Sequence, residues 1–452
     1  MNIIIAGYGK VGAALTRQLS AEGHDLTLID SNKAKLASGQ ELYDVMAVCG
    51  NCATMSVLEH AGVKNADLLI AATNADEMNL LCCLTAHGIN PKLRTIARIR
   101  NPEYSEQIYM LRDNFALSLM VNPERQAASE IERLLRFPGY LKRESFAHGR
   151  VELAELKVKP GSPICGVRLA QLDSVIKCHA LICMVLRSGA AIAPDGNFVL
   201  NDGDRLFVIA STNDLALLLK NTGIVMHRAK RLLIIGGGRI SYYLAQKMLK
   251  SGMKVQIIEK EQKKCVQLAE LLPEVSIVNA DASDFNTLDS ERLGEDDALV
   301  TMTGLDELNM ILSLYGKSRN VGQIITKLGR AESIELVESL SLGSLICPKD
   351  LCSNTILGFV RGMSNQVGAA LAVHKIADGK AEALEFRADK TTLNCGVPLK
   401  QIQLKKNVLV ACILHGSTVI IPNGDSVFTH GDTVIVVSGD GITIGKLNDI
   451  FA

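Results

Sequence analysis

The sequence predicts an α/β protein whose two halves repeat the same fold. Short apolar runs alternate with helical patterns in each half, and a glycine-rich loop follows the first run, at Gly7 and at Gly236. An acidic residue, Asp30 or Glu259, ends the second run, and both pairs of positions are 229 apart (236−7 and 259−30). Two matches at one spacing indicate a tandem duplication.

The apolar runs have the length of β-strands. They cover 3–6, 26–29, 45–48, 68–72 and 95–99 in the first half, and 232–235, 255–258, 275–278, 299–301 and 324–326 in the second. Val11, Leu15 and Leu19 follow the first loop at helical spacing. Near-continuous apolar strands between helices are typical of a parallel sheet covered on both faces. Each segment is therefore predicted to be a Rossmann-like, doubly wound parallel-sheet domain.

A helical stretch and a small domain follow each predicted sheet. The helical stretches cover 122–137 and 350–367, and the repeat continues beyond them, with Gly203-Asp204 matching Gly431-Asp432. Asp-Gly and Asn-Gly turns predict hairpins in these small α+β domains. We expect Rossmann-like domains at 1–136 and 226–355, and small α+β domains at 137–225 and 356–452.

Composition narrows the class of protein. The 452 residues are 48% hydrophobic and 21% charged, and the formal net charge is +0, which gives no basic field for nucleic acid. No apolar run approaches the roughly 20 residues that span a bilayer. The chain begins directly with a strand instead of a signal peptide, so we expect a cytoplasmic protein.

The cysteine pattern predicts no metal site. Of 12 cysteines, Cys49 and Cys52 form a CxxC, but no second pair or histidine cluster lies at ligand spacing. Cys347 and Cys352 have no supporting partners either. Buried, reduced thiols are the simpler interpretation in a cytosolic chain.

The first glycine loop has the chemistry of a phosphate-binding turn. Gly7 permits the tight turn, Gly9 lets a pyrophosphate approach the backbone, and Gly12 allows close packing of helix and strand. The phosphate would lie on the unpaired N–H groups of the helix. Asp30 can accept the ribose hydroxyls and repels a 2′-phosphate, which favours NAD or ATP/ADP over NADP. The alternative is a glycine turn that binds nothing.

The second glycine loop departs from this pattern. Its candidate contacts are Gly236, Gly238, Arg239, Ile240 and Ser241. Because Ser241 replaces the third glycine, we expect the helix to lie slightly further from the strand. Glu259 keeps the acidic role with a longer reach. The alternative is a degenerate site that only supports the fold.

Three further pairs of segments end strands near the same edge. Asn51 and Cys52 match Asp281 and Ala282, where an adenine edge could be read. After the fourth strands, the candidates are Thr73, Asn74, Glu77 and Thr303, which are equally well interpreted as helix caps. Cationic residues end the fifth strands: Arg98, Arg100 and Lys327. They would suit a phosphate; the alternative is that they are exposed and bind no ligand.

The sequence lacks a recurring catalytic arrangement. No histidine stands with a carboxylate in both halves, and neither a serine elbow nor a Walker lysine motif occurs. We therefore expect no catalytic residue, and a nucleotide that acts as a signal. The alternative is an NAD-dependent oxidoreductase with two Rossmann modules. A sensing module for another membrane transporter is a third possibility.

The chain resembles the TrkA family of regulatory subunits of bacterial Trk potassium uptake systems. The resemblance rests on the fourfold domain order, the Gly7–Gly12 loop with Asp30, Gly50-Asn51, and Ile96-Ala97-Arg98 followed by Asn101-Pro102-Glu103-Tyr104. Thr73 with Glu77 and Asn79 also fits. It implies tandem RCK (or KTN) domains that bind NAD(H) and ATP or ADP.

The resemblance also implies partners and residue roles. An integral-membrane potassium transporter of Trk type would hold the chain on the cytoplasmic face of the inner membrane, in a ring that is a homotetramer. The bound nucleotide would bias the shape of the ring and thereby the pore. The first loop, with Tyr8, Lys10 and Val11, would cradle phosphates. The chain departs from the family at Asn51, Ser241 and Lys327, so the second site is expected to be weaker or to take another nucleotide.

Overall fold

The fold is described from a computed structural model of the chain. It describes residues 1–104, 107, 116–136, 140–147, 150–222, 229–291, 293–295, 298–329, 342–363, 370–377, 379–416, 418–439, 442 and 444–452.

The first domain is a parallel sheet with helices on both faces. Its strands are β1 (Asn2–Ala6), β2 (Asp25–Asp30), β3 (Met46–Cys49), β4 (Leu68–Ala71), β5 (Arg94–Arg98) and β6 (Leu119–Val121), in the order β3-β2-β1-β4-β5-β6. Its helices are α1 (Lys10–Ala21), α2 (Lys33–Leu42), α3 (Met55–His60) and α4 (Asp76–Ile89). The strand order reverses between β1 and β4, and a crevice forms at such a point outside the carboxyl ends of the strands.

A long helix and a small antiparallel sheet follow. The helix is α5 (Pro123–Arg136). The elements that follow are β7 (Tyr140–Phe146), β8 (Val151–Lys157), α6 (Leu172–Ile176), β9 (Ala180–Arg187), β10 (Ala190–Ile192), β11 (Arg205–Ala210) and α7 (Thr212–Asn221). The five strands form a sheet in the order β10-β9-β11-β8-β7, and α6 and α7 pack against it.

The second parallel sheet repeats the strand order of the first. It runs β14-β13-β12-β15-β16-β17, with strands β12 (Arg231–Ile235), β13 (Lys254–Glu259), β14 (Ser276–Asn279), β15 (Ala298–Thr301), β16 (Gln323–Lys327) and β17 (Ser344–Ile346). The helices are α8 (Arg239–Lys250), α9 (Gln262–Leu271), α10 (Phe285–Ser290) and α11 (Asp306–Ser318).

The chain ends with a second long helix and a second small sheet. The helix is α12 (Pro348–Met363). The sheet has the order β18-β19-β22-β20-β21, with strands β18 (Ala372–Ile376), β19 (Ala381–Arg387), β20 (Val408–His415), β21 (Thr418–Ile420) and β22 (Thr433–Ser438). The predicted fold class is confirmed.

Two features of the sheets differ from the sequence predictions. The strands β6 and β17 were not predicted, because three residues are too few to show a periodicity. The Asp195-Gly196 turn does not join paired strands; β9 and β10 pair across Ser188-Gly189, where both residues have positive φ (51° and 79°). The predicted end of the second long helix at 367 lies outside the described residues.

The two long helices are exchanged between the halves. The apolar face of α5, including Ile131 and Leu134, belongs to the core around β12 and α8. In return, Ile356 and Val360 of α12 join the core of the first sheet. Ion pairs reinforce both contacts, between Lys247 and Glu132 (Nζ–Oε2 2.8 Å) and between Arg361 and Glu22. The division at 355 falls inside α12, and the division into four domains stays a prediction.

The two small sheets share one core. Side chains such as Phe207 of the first sheet and Ile435 of the second, both fully buried, lie in the same apolar cluster. Hairpin tips are joined reciprocally: Arg150 donates to the carbonyl of Gly416 (2.7 Å), and Lys380 donates to the carbonyl of Gly189. Among the described helices, none is both long enough and apolar enough to cross a bilayer.

Candidate functional site

The first glycine loop joins β1 to α1 at the crevice of the first sheet. Gly7 has φ +98°, and a Cβ there would lie 2.8 Å from the backbone nitrogen of Thr73. A Cβ on Gly12 would lie 2.0 Å from the carbonyl oxygen of Gly7. In contrast, a Cβ on Gly9 would meet no atom of the described residues within 4 Å. Two glycines are thus required by packing, whereas Gly9 faces open space.

The helices that leave the two loops begin without a side-chain cap. Gly9 is the N-cap of α1 and Gly238 is the N-cap of α8, both in extended conformation, and neither offers a side-chain acceptor. In the part of the chain that the structure describes, a Cβ on Gly238 would also have no neighbour within 4 Å. The first N–H groups of both helices therefore have no side-chain cap, and the partial positive charge of a helix N-terminus favours an anion there.

The acidic residues hold the loops from the neighbouring strand. Asp30 accepts hydrogen bonds from the backbone N–H groups of Tyr8 and Asn32, both at 2.8 Å. Glu259 likewise accepts from Gly237 (2.7 Å) and Glu261 (2.8 Å). Each carboxylate oxygen has a second lone pair, so a ligand hydroxyl can still be accepted.

Each glycine loop also packs against the second helix of its sheet, α2 or α9, and the two halves fill this space from opposite sides. In the first half, the ring of Tyr8 lies against α2, where a Cβ on Gly39 would be 3.0 Å from Tyr8 Cζ. In the second half, a Cβ on Gly237 would be 2.7 Å from Cδ1 of Leu268 on α9. The first half thus has a large residue, Tyr8, on the loop and a glycine on the helix. The second half has a glycine, Gly237, on the loop and a large residue, Leu268, on the helix.

The third glycine is replaced by a buried serine in the second half. Ser241 is fully buried, and its hydroxyl donates to the carbonyl oxygen of Gly236. This is the same carbonyl position that a Cβ on Gly12 would strike in the first half. The hydroxyl therefore turns a steric conflict into a hydrogen bond.

The segments after the third strands present one polar residue each. Asn51 and Asp281 are exposed and accept from the N–H groups of Ala53 (3.0 Å) and Ser283 (2.9 Å). The latter contact, with the Ser283 hydroxyl, lowers the pKa of Asp281. Cys52 and Ala282 are buried in the cores, so their side chains do not face the crevice.

Thr73 and Thr303 are held by an asparagine that is absent from the candidate set. Asn79 is fully buried; its Oδ1 accepts from the N–H (2.8 Å) and hydroxyl (2.7 Å) of Thr73, and its Nδ2 donates to the carbonyl of Arg98 (2.8 Å). Asn309 makes the same bonds to Thr303 and to Lys327. The asparagine thus ties the fourth strand to the fifth, and its recurrence in both halves was the available signal.

An aspartate at the start of α4 and of α11 holds the end of the fifth strand. Asp76 accepts from the N–H groups of Arg100 (2.8 Å) and Asn101 (2.7 Å), and it lies 3.5 Å from the Arg100 guanidinium. Asp306 accepts instead from the N–H of Gly329 (2.8 and 2.9 Å). Gly329 stands in the place of Arg100, so this position carries no side chain that could pair with Asp306.

Lys10 of the first loop reaches this part of the second half. Its Nζ lies 3.6 Å from the point that a Cβ on Gly329 would occupy, beside the carboxylate of Asp306. Lys327 donates to the carbonyl of Thr303 (2.5 Å). Burial lowers the pKa of Lys327, an effect that Asp306 opposes and Lys10 reinforces. The first loop therefore contributes a charge to the second crevice.

Arg98 lies at the junction of the halves. Its guanidinium is 3.9 Å from Glu124 of α5, and its buried Nε has no hydrogen-bond partner among the described residues. Burial lowers the pKa of Arg98, and Glu124 opposes this shift. A buried, incompletely paired guanidinium at a crevice suits an oxyanion.

The other candidates fall into two groups. Arg239, Asn74 and Glu77 are exposed at the crevice edges; the carbonyl of Asn74 accepts from Arg100, and backbone N–H contact lowers the pKa of Glu77, with help from the Tyr104 hydroxyl. Val11 is buried and Ile240 is half-buried, so both serve packing. Within the described ranges, no group of three histidine, cysteine, aspartate or glutamate side chains could hold a metal ion.

Comparison with known proteins identifies the family. A family model described as the TrkA-N domain matches residues 3–118 and 232–348, and one described as the TrkA-C domain matches residues 153–223. A "Trk system potassium uptake protein TrkA homolog" from Archaeoglobus fulgidus is 32% identical over 426 residues, covering 94% of each chain. The chain belongs to the TrkA family. The TrkA protein of Haemophilus influenzae is 30% identical over 427 residues, covering 93% of this chain and 92% of its own.

Solved structures support the fold of this TrkA-family chain. The RCK domain of GsuK has a TM-score of 0.64 at 18% identity and covers 97% of this chain and 92% of its own. A GsuK channel described as bound to NAD has a TM-score of 0.62 at 17% identity, covering 97% of this chain and 76% of its own. At these identities the likeness concerns the fold, and it spans both halves.

Proposed function

We propose that the chain is a nucleotide-binding regulatory subunit of a potassium uptake system. One observation carries the proposal: in a TrkA-family chain, both halves present an uncapped helix N-terminus to open space beside a loop-bound carboxylate. The relatives that are 30% and 32% identical to this chain are named as potassium uptake proteins of the Trk system.

The proposed ligands are NAD(H) and ATP or ADP. GsuK structures are described as bound to NAD and to ADP, and the crevices here fit such groups. Gly9 leaves room for phosphates at the start of α1, and Asp30 offers acceptors to a ribose while repelling a 2′-phosphate. Arg98 and, in the second crevice, Lys327 with Lys10 supply positive charge. NADP is expected to bind poorly.

We propose that nucleotide binding proceeds without turnover. A hydride-transfer enzyme needs an acid–base group beside the nicotinamide. In the first crevice, Thr73 and Asn79 are engaged in holding the loop after β4. An NAD-dependent oxidoreductase remains the second candidate, and a consumption assay with candidate substrates separates the two.

The chain is proposed to assemble into a ring, as a homotetramer. Matched apolar residues are exposed on α4 and α11: Leu81 is 50% exposed and Leu84 42%, and Ile311 is 50% exposed and Leu314 39%. Paired patches on two equivalent helices suit a head-to-tail contact between copies, which closes into a ring. Such a ring would bind an integral-membrane potassium transporter at the cytoplasmic face of the inner membrane.

Nucleotides would act by shifting the population of ring shapes. A ligand favours an open pore only if it binds the open-pore shape more tightly than the closed one. A coupling of about 1–3 kcal/mol per site is typical, and equivalent sites in a ring act together. Lys10 and Arg98, which lie between the halves, are the groups placed to sense the ligand.

Calorimetry tests the proposal. We would titrate the purified chain with NAD, NADH, NADP, ATP and ADP, and compare Gly9→Ala and Gly238→Ala, whose new methyl groups would have no described neighbour within 4 Å. Binding that each substitution removes from one class of sites supports nucleotide sensing, and potassium flux with the co-purified transporter then tests regulation. No binding at either loop would refute the proposal, and a different co-purified transporter would reassign the partner.

A further inference from the structure

Two cysteines lie in contact beside the first crevice. Cys52 belongs to the turn between β3 and α3 and is 5% exposed, whereas Cys82 lies on α4 and is fully buried. Both side chains belong to the apolar core on that side of the first sheet. The thiol of Cys82 donates a hydrogen bond to the sulfur of Cys52, so the two sulfurs are neighbours, as the short geometry of a disulfide requires.

The second half fills the same contact with apolar side chains. Ala282 and Leu312 stand 230 positions after Cys52 and Cys82 (282−52 and 312−82). Both are buried in the matching core of the second sheet. An alanine and a leucine thus pack this turn against its helix without sulfur, so packing alone does not account for a pair of thiols in the first half.

The contact also makes the two thiols chemically unequal. The hydrogen bond from Cys82 lowers the pKa of Cys52, although burial opposes this shift, and the same bond raises the pKa of Cys82. At other core cysteines, burial raises the pKa to about 12: Cys83, Cys183, Cys352 and Cys412. Because the thiolate is the form that reacts with oxidants, Cys52 is the more reactive member of the pair.

We propose that Cys52 and Cys82 form a reversible disulfide when the protein meets a peroxide, and that this bond alters the first crevice. The Cys52 thiolate would attack one peroxide oxygen and break the O–O bond, which gives a sulfenic acid and a hydroxide. The sulfur of Cys82 would then attack the Cys52 sulfur, and its proton would leave with the displaced hydroxide as water. The first hydroxide takes up the proton that Cys52 released, so two thiols and one peroxide give one disulfide and two waters. A dithiol reductant reverses the bond.

The disulfide would join two borders of the crevice. Asn51 is next to Cys52, is exposed, and holds the turn by accepting from the N–H of Ala53 (3.0 Å). The helix α4 begins three residues after Thr73. Since a disulfide brings its sulfurs to about 2.05 Å, the turn with Asn51 must shift toward α4. The effect on ligands rests on the proposed nucleotide site, and it is confined to the first crevice because Ala282 and Leu312 have no thiols.

Peptide mapping by mass spectrometry tests the bond on the full chain, after hydrogen peroxide and again after dithiothreitol. We expect a cross-link between Cys52 and Cys82 that dithiothreitol removes and that Cys82→Ala lacks. Cys83→Ser is the matched control, since the Cys83 thiol donates to the carbonyl of Ile96 (3.6 Å) and the second half has a serine at this position. It should keep the cross-link, and thermal unfolding shows that both variants keep the fold. Absence of the cross-link, or a bond from Cys52 to Cys49 in its place, would overturn the proposal.

Calorimetry with ADP measures the consequence of the bond. In Gly238→Ala, which isolates the first crevice, we expect peroxide to weaken ADP binding by about fivefold or more, and dithiothreitol to restore it. In Gly9→Ala, which isolates the second crevice, peroxide should change nothing. A cross-linked chain with unchanged ADP affinity in the first crevice would also overturn the proposal. If the reduced chain binds no ADP, the proposed nucleotide site fails instead, and the peptide map still decides whether the disulfide forms.

Discussion

The two glycine loops have the same backbone but fill the space behind it from opposite sides. Tyr8 of the first loop lies over Gly39, whereas Leu268 of the second half lies over Gly237. Glu259 also needs this arrangement, since a Cβ on Gly237 would be 3.0 Å from its Cβ and Cγ. Residues that contact each other thus differ together between the two halves, and the same fold thereby forms two different crevices.

The cations show a second difference. The first half pairs Asp76 with its own Arg100, whereas the second half has Gly329 at that position and receives Lys10 from the first loop. The crevices are thus unequal, and the second is completed by a residue of the first half. The following substitutions test how far these differences extend.

The largest effect is expected for Gly12→Ala. The new Cβ would lie 2.0 Å from a backbone oxygen that cannot move away as a side chain would, and we expect a loss of about 3 kcal/mol in the free energy of unfolding. Ser241→Ala at the matching position should cost only about 1 kcal/mol, from one hydrogen bond. Urea unfolding measures both; equal losses would mean that the two loops pack alike.

A double-mutant cycle tests the exchanged filling. Gly39→Leu should collide with Tyr8 and Leu28, and Tyr8→Gly should leave a void, each costing about 2–3 kcal/mol. The double variant copies the second half and should recover most of this loss, giving a favourable coupling energy. Penalties that simply add in urea unfolding would contradict the comparison.

The small domains differ in one ion pair. Asp204, 1% exposed, is held by Arg187 through two bonds (2.8 and 2.7 Å), whereas Asp432, 3% exposed, faces the imidazole of His415 (2.8 Å). We expect Arg187→Gln to cost about 2 kcal/mol, since it leaves a buried carboxylate with a weaker partner. His415→Gln should cost less than about 1 kcal/mol because that side chain is exposed.

The first pair also has a pH dependence. Burial raises the pKa of Asp204, but the Arg187 guanidinium and the Asn201 N–H outweigh it, so the pKa lies below its ordinary value. The stabilisation is thus complete above the unfolded-state pKa and is lost as the pH falls through the folded-state value. Arg187→Gln should therefore begin acid unfolding at a higher pH than the parent, as followed by circular dichroism.

The smallest effect on stability is expected at the second glycine of each loop. Gly9→Ala and Gly238→Ala place a methyl group in open space at an ordinary backbone angle, so the unfolding free energy should stay within about 0.5 kcal/mol. Nucleotide affinity should fall about tenfold or more at the altered loop only. A loss of both classes of sites from one substitution would show that the crevices act as one.

Residues in strongly patterned segments could be placed from the sequence. The ten predicted strands and the crevice edge followed from apolar runs and from the repeat. Asn79 fits the family resemblance, but neither it nor Asp76 was predicted to be a site residue, because an amide or carboxylate at a helix start has the same local pattern whether it caps the helix or ties two strands. The exchange of α5 and α12 was also missed, since an amphipathic helix shows that it needs a partner but not which sheet supplies it.

The contact of Lys10 with the second half has a similar cause. Its position in the loop predicted a phosphate contact within its own half, and the sequence shows only that Gly329, followed by Arg330, stands where the first half has Arg100. The surroundings of Lys10 depend on how the two halves pack, and local sequence patterns do not show such long-range contacts. Local patterns therefore predicted the two crevices, but not that Lys10 of the first half lies beside the second crevice.

The exchange of helices within one polypeptide has a genetic consequence. A protein with a single copy of this unit can complete its cores only with an identical copy, so every substitution appears at both crevices at once. Here the two copies lie in one polypeptide and complete each other's cores, so they are always present in a one-to-one ratio. One crevice can therefore change by mutation while the other keeps its sequence, and Tyr8 and Gly237 do differ at matching positions.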